Sequence, residues 1–276
     1  MKDLRGKRVL ISGSARGIGL EMALKFAEKG ADLVLSDIDE RALPEALETV
    51  AVFGGAVHAY PLDVTRPDAV LGLRQRLVEE VGPIDVLVNN AGVVFGGPFL
   101  EVPLDQHAMT YRVNALGLVA MTHAFLPDLI SRPEASLVNI ASASAFIGLP
   151  FGSTYASSKW AVLGFSESLR LELSELGHRH VHVCAVCPSY IGTGMFEGAR
   201  PPTTTRVLEP EFIAAAVVKA VVDEQLYVLE PWLVKITPAL KGLLPTRLWD
   251  SLSSALGASS GMSGWIGHRE EGAEDG

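Results

Sequence analysis

The chain alternates between short apolar runs and longer segments in which apolar residues recur every three or four positions. Short apolar runs are typical of strands buried on both faces, and the longer pattern is typical of amphipathic helices. Strands are expected at Arg8–Ile11, Asp32–Ser36, Ala56–Leu62, Asp85–Asn89, Ser136–Ile140, His180–Val186 and Tyr227–Leu229. Helices are expected at Ile18–Gly30, Asp39–Val50, Arg66–Val81, Asp105–Ile130, Ser153–Leu176 and Pro210–Glu224. This order predicts an α/β fold, a single Rossmann-type doubly wound parallel sheet of about seven strands with helices on both faces.

Two regions depart from the alternation. The segment 188–209 is rich in Gly, Pro and Thr and is long for a simple connection, so we expect a substrate-binding loop there. The stretch from Glu230 holds two apolar patches and then a Gly-, Ser- and acid-rich tail, GHREEGAEDG, which we expect to be disordered. We therefore predict one domain over residues 1–250, with its loop at 188–209, and a C-terminal extension over 251–276.

The apolar part of the C-terminal stretch, residues 230–257, has three candidate roles: a lid on a pocket, an oligomer contact, or peripheral docking on a membrane. Pro231, Pro238 and Pro245 are expected to break it into pieces, which argues against one long amphipathic helix. A lid or an oligomer contact is therefore favoured.

Composition narrows the class of partner. Hydrophobic residues make up 48% of the 276, enough for a large core, and the net charge of −9 argues against nucleic acid and against an electrostatic membrane anchor. No run of about 20 apolar residues occurs, so no transmembrane span is predicted.

The two cysteines, Cys184 and Cys187, have the spacing of a redox pair or of half a zinc site. They lie in the run VHVCAVCP, which is typical of a buried strand, where residues three apart point to opposite faces. Two core thiols in a reducing, cytoplasmic compartment are therefore favoured. His180 and His182 lack a carboxylate partner in the sequence, and no metal site is predicted.

Three glycines, Gly13, Gly17 and Gly19, lie in the segment SGSARGIG between the first strand and the first helix. Such a turn lets backbone approach a pyrophosphate and directs the helix N-terminus at the phosphates. An ordinary glycine turn is the alternative, but the strand-to-helix context favours a dinucleotide site that includes Ser14, Arg16 and Ile18.

Asp37 ends the second predicted strand, roughly 20 residues beyond the glycine turn. A carboxylate there accepts hydrogen bonds from the adenosine ribose and repels a 2′-phosphate, which favours NAD over NADP. Arg16 favours the opposite preference because it could pair with a 2′-phosphate. Asp37 could instead be a helix N-cap in the run SDIDE.

Tyr155 and Lys159, in the run YASSK, are four residues apart and share one face of the predicted helix. A lysine ammonium beside a phenol favours the phenolate and lowers the phenol pKa, which would give a general base. A plain surface pair is the alternative for this spacing alone.

Together with these motifs, the segments LDV at 62–64, NNAG at 89–92, NALG at 114–117, NIAS at 139–142 and CPSYIGT at 187–193 resemble the short-chain dehydrogenase/reductase family. The resemblance runs from about residue 5 to about residue 230 and is closest in type to retinol- and hydroxysteroid-dehydrogenase-like members. It implies a catalytic set of Asn114, Ser142, Tyr155 and Lys159. It also implies cofactor contacts from Asp63, Val64, Asn90, Ala91, Gly92, Tyr155, Lys159, Pro188, Ile191 and Thr193.

The resemblance also implies individual roles and a few departures. Asn114 would hold a water that links the lysine to solvent, and Ser142 would stabilise the substrate oxygen. Ser12, Ala141 and Ser189 replace residues that are commoner in the family, and Ser189 leaves the loop geometry beside the nicotinamide open.

The expected pocket walls are apolar and lack a lysine or arginine: Val94, Phe95, Phe146, Ile147, Leu149, Tyr190, Met195 and Phe196. These walls suggest a lipophilic alcohol or ketone of steroid, retinoid or long-chain type. We therefore predict an NAD-dependent alcohol oxidoreductase that is a homodimer or homotetramer, with peripheral membrane contact left open. An NADPH-dependent ketoreductase of lipid or polyketide synthesis and a non-catalytic NAD-binding scaffold are the alternatives.

Overall fold

Seven parallel strands form one sheet in the order β3-β2-β1-β4-β5-β6-β7. The structure, a computed structural model, describes residues 1–202, 205–257 and 261–266. The strands are β1 Arg8–Ser12, β2 Asp32–Asp37, β3 Val57–Pro61, β4 Val86–Asn89, β5 Ala135–Ile140, β6 Val181–Pro188 and β7 Tyr227–Glu230. The predicted fold class is confirmed, and every predicted strand is present within two residues of its expected ends.

Helices cover both faces of the sheet. They are α1 Gly17–Ala27, α2 Leu43–Ala51, α3 Pro67–Glu80, α4 Leu104–Tyr111, α5 Leu118–Ser131, α6 Ser153–Glu175, α7 Pro210–Val222, α8 Trp232–Leu243 and α9 Thr246–Ala255. One core lies under α1, α2 and α7, with Phe26 of α1 at its centre. The other lies under α3, α5 and α6, with Phe125 of α5 at its centre. Burial on both faces explains why the strands are continuous apolar runs.

The chain reverses its direction of winding between β1 and β4, which pair with Val9 opposite Val86. Strands β2 and β3 lie on one side of β1, and β4 to β7 lie on the other. In a sheet of this kind, ligands bind in the crevice outside the carboxyl ends of the strands at this reversal. The ends of β1 and β4, at Ser12 and Asn89, therefore locate the site.

Two of the early predicted helices have different ends. The helix expected over Asp39–Val50 begins only at Leu43, because the Asp39 carboxylate accepts hydrogen bonds from the backbone N–H groups of Arg41 and Ala42 and holds a separate turn. Helix α1 ends at Ala27, and Gly30 follows in the left-handed region with φ of +79°.

The long helix expected over Asp105–Ile130 is present but not uniform. It is divided into α4 and α5 by a π-helical turn at Arg112–Gly117, a feature often found at functional sites. Among the described residues, this combined helix, Leu104–Ser131, is the one segment long and apolar enough to cross a membrane, and half of its most apolar window is buried inside the protein. Core helices satisfy the same criteria, and Phe125 and Leu129 of this helix are fully buried against the sheet.

The C-terminal stretch forms two helices, and the expected break at Pro238 is wrong. Pro231 and Pro245 immediately precede α8 and α9, as expected, but Pro238 lies inside α8. The second half of α8 is anchored by Lys241, whose Nζ donates to the Phe146 carbonyl at 2.9 Å and lies 4.3 Å from the centre of the Trp160 ring. These contacts offset the cost of an interior proline. The tail GHREEGAEDG lies outside the described residues.

The surroundings of His182 differ from the prediction, whereas those of the two cysteines agree with it. His182 does have a carboxylate partner, because Glu224, which follows α7, places its Oε1 3.5 Å from His182 Nε2. His180 precedes β6 rather than lying in it. Cys184 and Cys187 are buried free thiols that pack in different clusters, as expected for opposite faces of a strand.

Candidate active site

A cleft of about 700 Å³ opens along the carboxyl ends of the strands, beside the N-terminus of α1. The sequence-predicted residues that line it are Gly13, Arg16, Gly17, Ile18, Gly19, Asp37, Asp63, Val64, Asn90, Ala91, Gly92, Ser142, Tyr155, Lys159, Pro188, Ile191 and Thr193. The fold therefore brings both the glycine turn and the tyrosine–lysine pair into one cavity, although they are far apart in sequence.

The glycine turn fits a dinucleotide because side chains are excluded from it. Gly13 has φ of +66°, and a Cβ atom there would lie 2.9 Å from the Cα of Ala91. A Cβ atom on Gly19 would lie 2.0 Å from the Gly13 carbonyl oxygen. The Asn90 Nδ2 donates to the carbonyls of Ser12 and Gly13 at 3.0 and 2.7 Å and ties the turn to the end of β4. The result is a cradle of backbone at the start of α1, where N–H groups lack intrahelical partners and favour phosphate.

Ser14 was expected among the cofactor contacts, but its side chain is fully buried and does not line the cleft. Its Oγ accepts a hydrogen bond from the Ser36 N–H at 2.9 Å and lies 3.3 Å from the Ser36 carbonyl. Ser14 therefore fastens the glycine turn to β2 and holds the shape of the cradle from behind.

Asp37 and Arg16 lie at the end of the cleft beyond the glycine turn. The Asp37 Oδ2 accepts a hydrogen bond from the Ala15 N–H at 2.9 Å, and its Oδ1 accepts one from the Asp39 N–H at 3.0 Å. Asp37 is thus the last residue of β2 and holds a turn rather than capping a helix. Arg16 has a side chain that is 72% exposed, and its Nη1 lies 3.8 Å from Asp39 Oδ2. A carboxylate can accept about four hydrogen bonds, so Asp37 retains acceptor capacity toward the cleft.

Asp63 and Val64 follow β3 and border the same end of the cleft. The Asp63 Oδ1 accepts hydrogen bonds from the N–H and Oγ1 of Thr65, which fixes the carboxylate at the lip of the cleft. Val64 is buried and contacts the π-helical turn at Gly117.

The catalytic candidates come from β5 and α6. Ser142 lies two residues beyond the end of β5 and caps a short 3₁₀ turn, its Oγ accepting from the Ser144 N–H at 3.1 Å. The Ser142 hydroxyl lies close enough to Tyr155 to lower the pKa of the phenol. One turn along α6, Lys159 donates to the Ile140 carbonyl at 2.9 Å, and its Nζ lies 5.7 Å from the centre of the Tyr155 ring. All three side chains are buried and face the cleft.

Burial governs the protonation of this pair in the protein without cofactor, and the lowering of the Tyr155 pKa by Lys159 together with an oxidised nicotinamide stays a prediction. Desolvation raises the pKa of Tyr155 well above its ordinary value, and the nearby Ser142 hydroxyl only partly opposes this shift. Desolvation also lowers the pKa of Lys159 from 10.5 to about 8. The Lys159 ammonium donates to the Ile140 carbonyl and remains within 5.7 Å of the centre of the Tyr155 ring.

Asn114 does not line the cleft, in contrast to the other three catalytic candidates. It is buried in the π-helical turn, where its Oδ1 accepts from the Val93 N–H at 2.8 Å and its Nδ2 donates to the Val93 carbonyl and to Ser158 Oγ. The side-chain amide therefore clamps the backbone that follows NNAG. The same amide oxygen lies beside Gly92, as does Lys159 Nζ.

The apolar end of the cleft agrees only in part with the expected walls. Val94, Phe95, Met195 and Phe196 line it, whereas Tyr190 and Leu149 pack one layer behind. Phe146 packs against a different cluster, and Ile147 borders a second cavity beside α9. These residues turn away because the 3₁₀ turn after Ser142 redirects the chain.

Further lining residues had no signal in the sequence pattern. Gln106, Met109 and Val113 reach the cleft from α4 and the π-helical turn, and Trp265 and Ile266 reach it from the C-terminal segment. Trp265 and Ile266 lie in a Gly- and Ser-rich stretch without periodicity, so no local pattern predicts their place in the cleft.

Comparisons of this chain with a family model and with individual proteins agree on one family. The sequence model described as short chain dehydrogenase matches residues 7–203. The chain is 36% identical over 273 residues to epidermal retinol dehydrogenase 2 of Mus musculus, covering 98% of this chain and 88% of that protein. It is 32% identical over 253 residues to estradiol 17-beta-dehydrogenase 11 of Rattus norvegicus, covering 91% of this chain and 84% of that protein.

Among solved structures, a short chain dehydrogenase/reductase from Burkholderia phymatum in complex with NAD superposes with a TM-score of 0.80 at 28% identity. The superposition covers 88% of this chain and 95% of that one.

Proposed function

The chain belongs to the short-chain dehydrogenase/reductase family and is an NAD(P)-dependent oxidoreductase of CH–OH groups, and from this premise we propose that its substrates are lipophilic alcohols and ketones and that it prefers NAD. The observation that carries the proposal is the position of Ser142 and Tyr155 at an end of the cleft walled by Val94, Met195 and Phe196. No lysine or arginine other than Lys159 borders this end among the described residues, so an anionic substrate would lack a partner. The names of the two relatives, a retinol and an estradiol dehydrogenase, support the same class.

The chemistry of the chain's own residues follows from their geometry. Ser142 and Tyr155 line the same cleft, and the Ser142 hydroxyl is near enough to act on the phenol pKa, so both hydroxyls can reach one substrate oxygen. In oxidation, the Tyr155 Oη receives the hydroxyl proton, and in reduction it donates a proton to the carbonyl oxygen. Ser142 donates to the same oxygen and stabilises its developing charge. A bound nicotinamide cofactor supplies the hydride acceptor or donor and, when oxidised, a positive charge beside the phenol.

Lys159 has two tasks in this scheme. Its ammonium, once drawn from the Ile140 carbonyl toward the cleft, favours the Tyr155 phenolate, and it can bind ribose hydroxyls of the cofactor. Asn114 holds the backbone of Val93, a residue that lines the cleft.

The proposed preference for NAD rests on Asp37. Its carboxylate borders the cleft and is fixed by the backbone of Ala15 and Asp39, so a 2′-phosphate at this end would meet a negative charge. One observation favours the alternative, an NADPH-dependent ketoreductase: Arg16 lines the same end, is mostly exposed, and is held only by a 3.8 Å ion pair to Asp39.

We also propose a cytoplasmic, homo-oligomeric enzyme. Burial raises the pKa of the Cys184 and Cys187 thiols to about 12, which suits unreactive thiols in a reducing compartment. Apolar side chains are exposed on α4, which begins at Leu104, and on the helical segments after it. This exposure supports an oligomer.

The test is turnover of a panel of steroid, retinoid and aliphatic alcohols, followed by the absorbance of the reduced cofactor, with NAD⁺ and NADP⁺ in parallel. We expect oxidation of lipophilic secondary or primary alcohols with NAD⁺, and loss of turnover in Tyr155→Phe with cofactor affinity retained. Turnover only with NADP⁺ would assign the preference to Arg16. Full activity of Tyr155→Phe would contradict the mechanism, and cofactor binding without turnover of any alcohol would favour the scaffold alternative.

A further inference from the structure

The C-terminal segment Gly261–Ile266, here called the strap, returns to the catalytic site. Met262 is 1% exposed and packs in one cluster with Val94 and Tyr155. Trp265 borders the cleft and packs against the same cluster, and Ile266 lies at the cleft's margin. A segment from the far end of the chain thus contacts the catalytic tyrosine.

Three hydrogen bonds join the strap to the loop 188–202. The Trp265 Nε1 donates to the Met195 carbonyl at 3.0 Å, and the Ile266 N–H donates to the Glu197 carbonyl at 3.0 Å. In the other direction, the Arg200 N–H donates to the Gly261 carbonyl at 2.7 Å. The loop that carries Met195 and Phe196 and the strap therefore form one wall.

Two glycines on neighbouring segments accommodate this wall. A Cβ atom on Gly96 would lie 2.9 Å from Trp265 Cε3 and 3.1 Å from Met262 Cε. A Cβ atom on Gly198 would lie 2.1 Å from the Gly264 carbonyl oxygen. The backbone at Gly96 is thus pressed against the indole, and any side chain there would displace it.

We propose that Trp265, supported by Met262, is a specificity-determining wall of the alcohol site that selects flat, lipophilic substrates large enough to reach the indole. The inference rests on the proposed function and names the part of the pocket that distinguishes a bulky alcohol from a short one. An indole offers a large rigid apolar face at low entropic cost, and its N–H is already occupied by Met195. The wall is therefore suited to ring or polyene faces rather than to hydroxyl-rich molecules.

The experiment measures KM and kcat at saturating NAD⁺ for retinol, estradiol and isopropanol in wild type, Trp265→Ala, Trp265→Phe and Gly96→Ala. We expect Trp265→Ala to raise KM for retinol or estradiol by roughly tenfold and to leave the KM for isopropanol within about twofold, because only large substrates reach the indole. Trp265→Phe should restore most of the loss. Trp232→Ala, a matched change of a tryptophan that is 65% exposed at the start of α8, should have no effect.

The double variant Gly96→Ala/Trp265→Ala tests the contact itself. Gly96→Ala should reproduce the loss for large alcohols by displacing the indole, and the double variant should be no worse than Trp265→Ala. Losses that add in the double variant, or an equal rise of KM for isopropanol, would overturn the inference.

Equilibrium dialysis of retinol against the NADH-loaded protein separates this inference from the proposed function. Retinol affinity that falls roughly tenfold in Trp265→Ala, but not in Trp232→Ala, supports the wall even if no alcohol is oxidised, in which case only the proposed function fails. Equal retinol affinity of wild type and Trp265→Ala, or no retinol binding by either protein, would overturn the proposed role of Trp265. This holds whether or not any alcohol is oxidised.

Discussion

Asp37 and Arg16 place opposite charges at the end of the cleft beyond the glycine turn, and we propose that the choice of cofactor depends on their balance. Asp37 is held rigidly by two backbone N–H groups, whereas Arg16 is exposed and only loosely paired with Asp39. A fixed carboxylate is the better hydrogen-bond partner for a ribose, since little freedom is lost on binding.

We expect Asp37→Asn to lower the ratio of kcat/KM for NAD⁺ to that for NADP⁺ by roughly tenfold or more, because a charged hydrogen bond contributes about 1.5–3 kcal/mol. The asparagine keeps one oxygen for the Ala15 N–H but loses the acceptor of the Asp39 N–H. Asp39→Asn removes the neighbouring carboxylate and should change kcat/KM for NAD⁺ by less than about twofold. An unchanged ratio in Asp37→Asn would assign cofactor choice to other residues.

Lys159 links the catalytic site to the stability of the protein. Its folded-state pKa of about 8 lies below the ordinary 10.5, so the unfolded chain binds more protons between these values. The free energy of unfolding therefore rises with pH in this window as the cost of the buried ammonium disappears. The destabilisation is present in full below about pH 8.

Without added cofactor, Lys159→Met should therefore be more stable than wild type at about pH 7, and this advantage should shrink by about pH 9.5. Urea unfolding of both proteins at the two pH values measures the difference between their free energies of unfolding. Titration of the other groups is common to both proteins and cancels in this difference. Lys29→Met, on the surface after α1, is the matched control and should show no such trend. A constant advantage across the pH range would mean that Lys159 is already neutral at pH 7.

Elements that follow a repeating sequence pattern are predictable from the sequence, whereas features that depend on single side-chain contacts are not. The strands and the paired positions 155 and 159 follow from apolar runs and helical spacing, which are local properties. The π-helical turn at Arg112–Gly117 depends on Asn114 clamping the Val93 backbone, and the late start of α2 depends on the Asp39 side chain. Pro238 was expected to end a helix, but Lys241 anchors α8 beyond it. Such contacts join residues whose proximity only the folded chain reveals.

The parts of the site that the sequence does not predict also depend on contacts made only in the folded chain. Motif spacing located the residues that line the cofactor end of the cleft, but it could not separate Ser14, which faces away, from its neighbours. Trp265 contacts the carbonyl of Met195, which lies 70 residues earlier in the chain, and nothing in its local sequence marks it. Sequence spacing reveals the lysine near Tyr155 but not the burial that raises the phenol pKa.

The surface of the folded protein bears on assembly. Leu116 is 63% exposed on the π-helical turn, Val119 is exposed one turn later, and Leu171 is exposed on α6. The Tyr111 hydroxyl lies 2.7 Å from Ser157 Oγ and joins α4 to α6 near this region. Apolar side chains grouped on packed helices are typical of a contact between subunits.

We expect light scattering to give a mass about twice or four times the 29.4 kDa of one chain. Leu116→Asp should reduce this mass toward that of the monomer, since a carboxylate buried in an apolar contact lacks a partner. Leu243→Asp, at a position 81% exposed on α8, provides the control and should leave the mass unchanged if the contact lies on α4 to α6. A monomeric wild type would contradict the oligomer, and dissociation by Leu243→Asp alone would move the contact to the C-terminal helices. In that case α8 would be the oligomer contact that its apolar sequence first suggested.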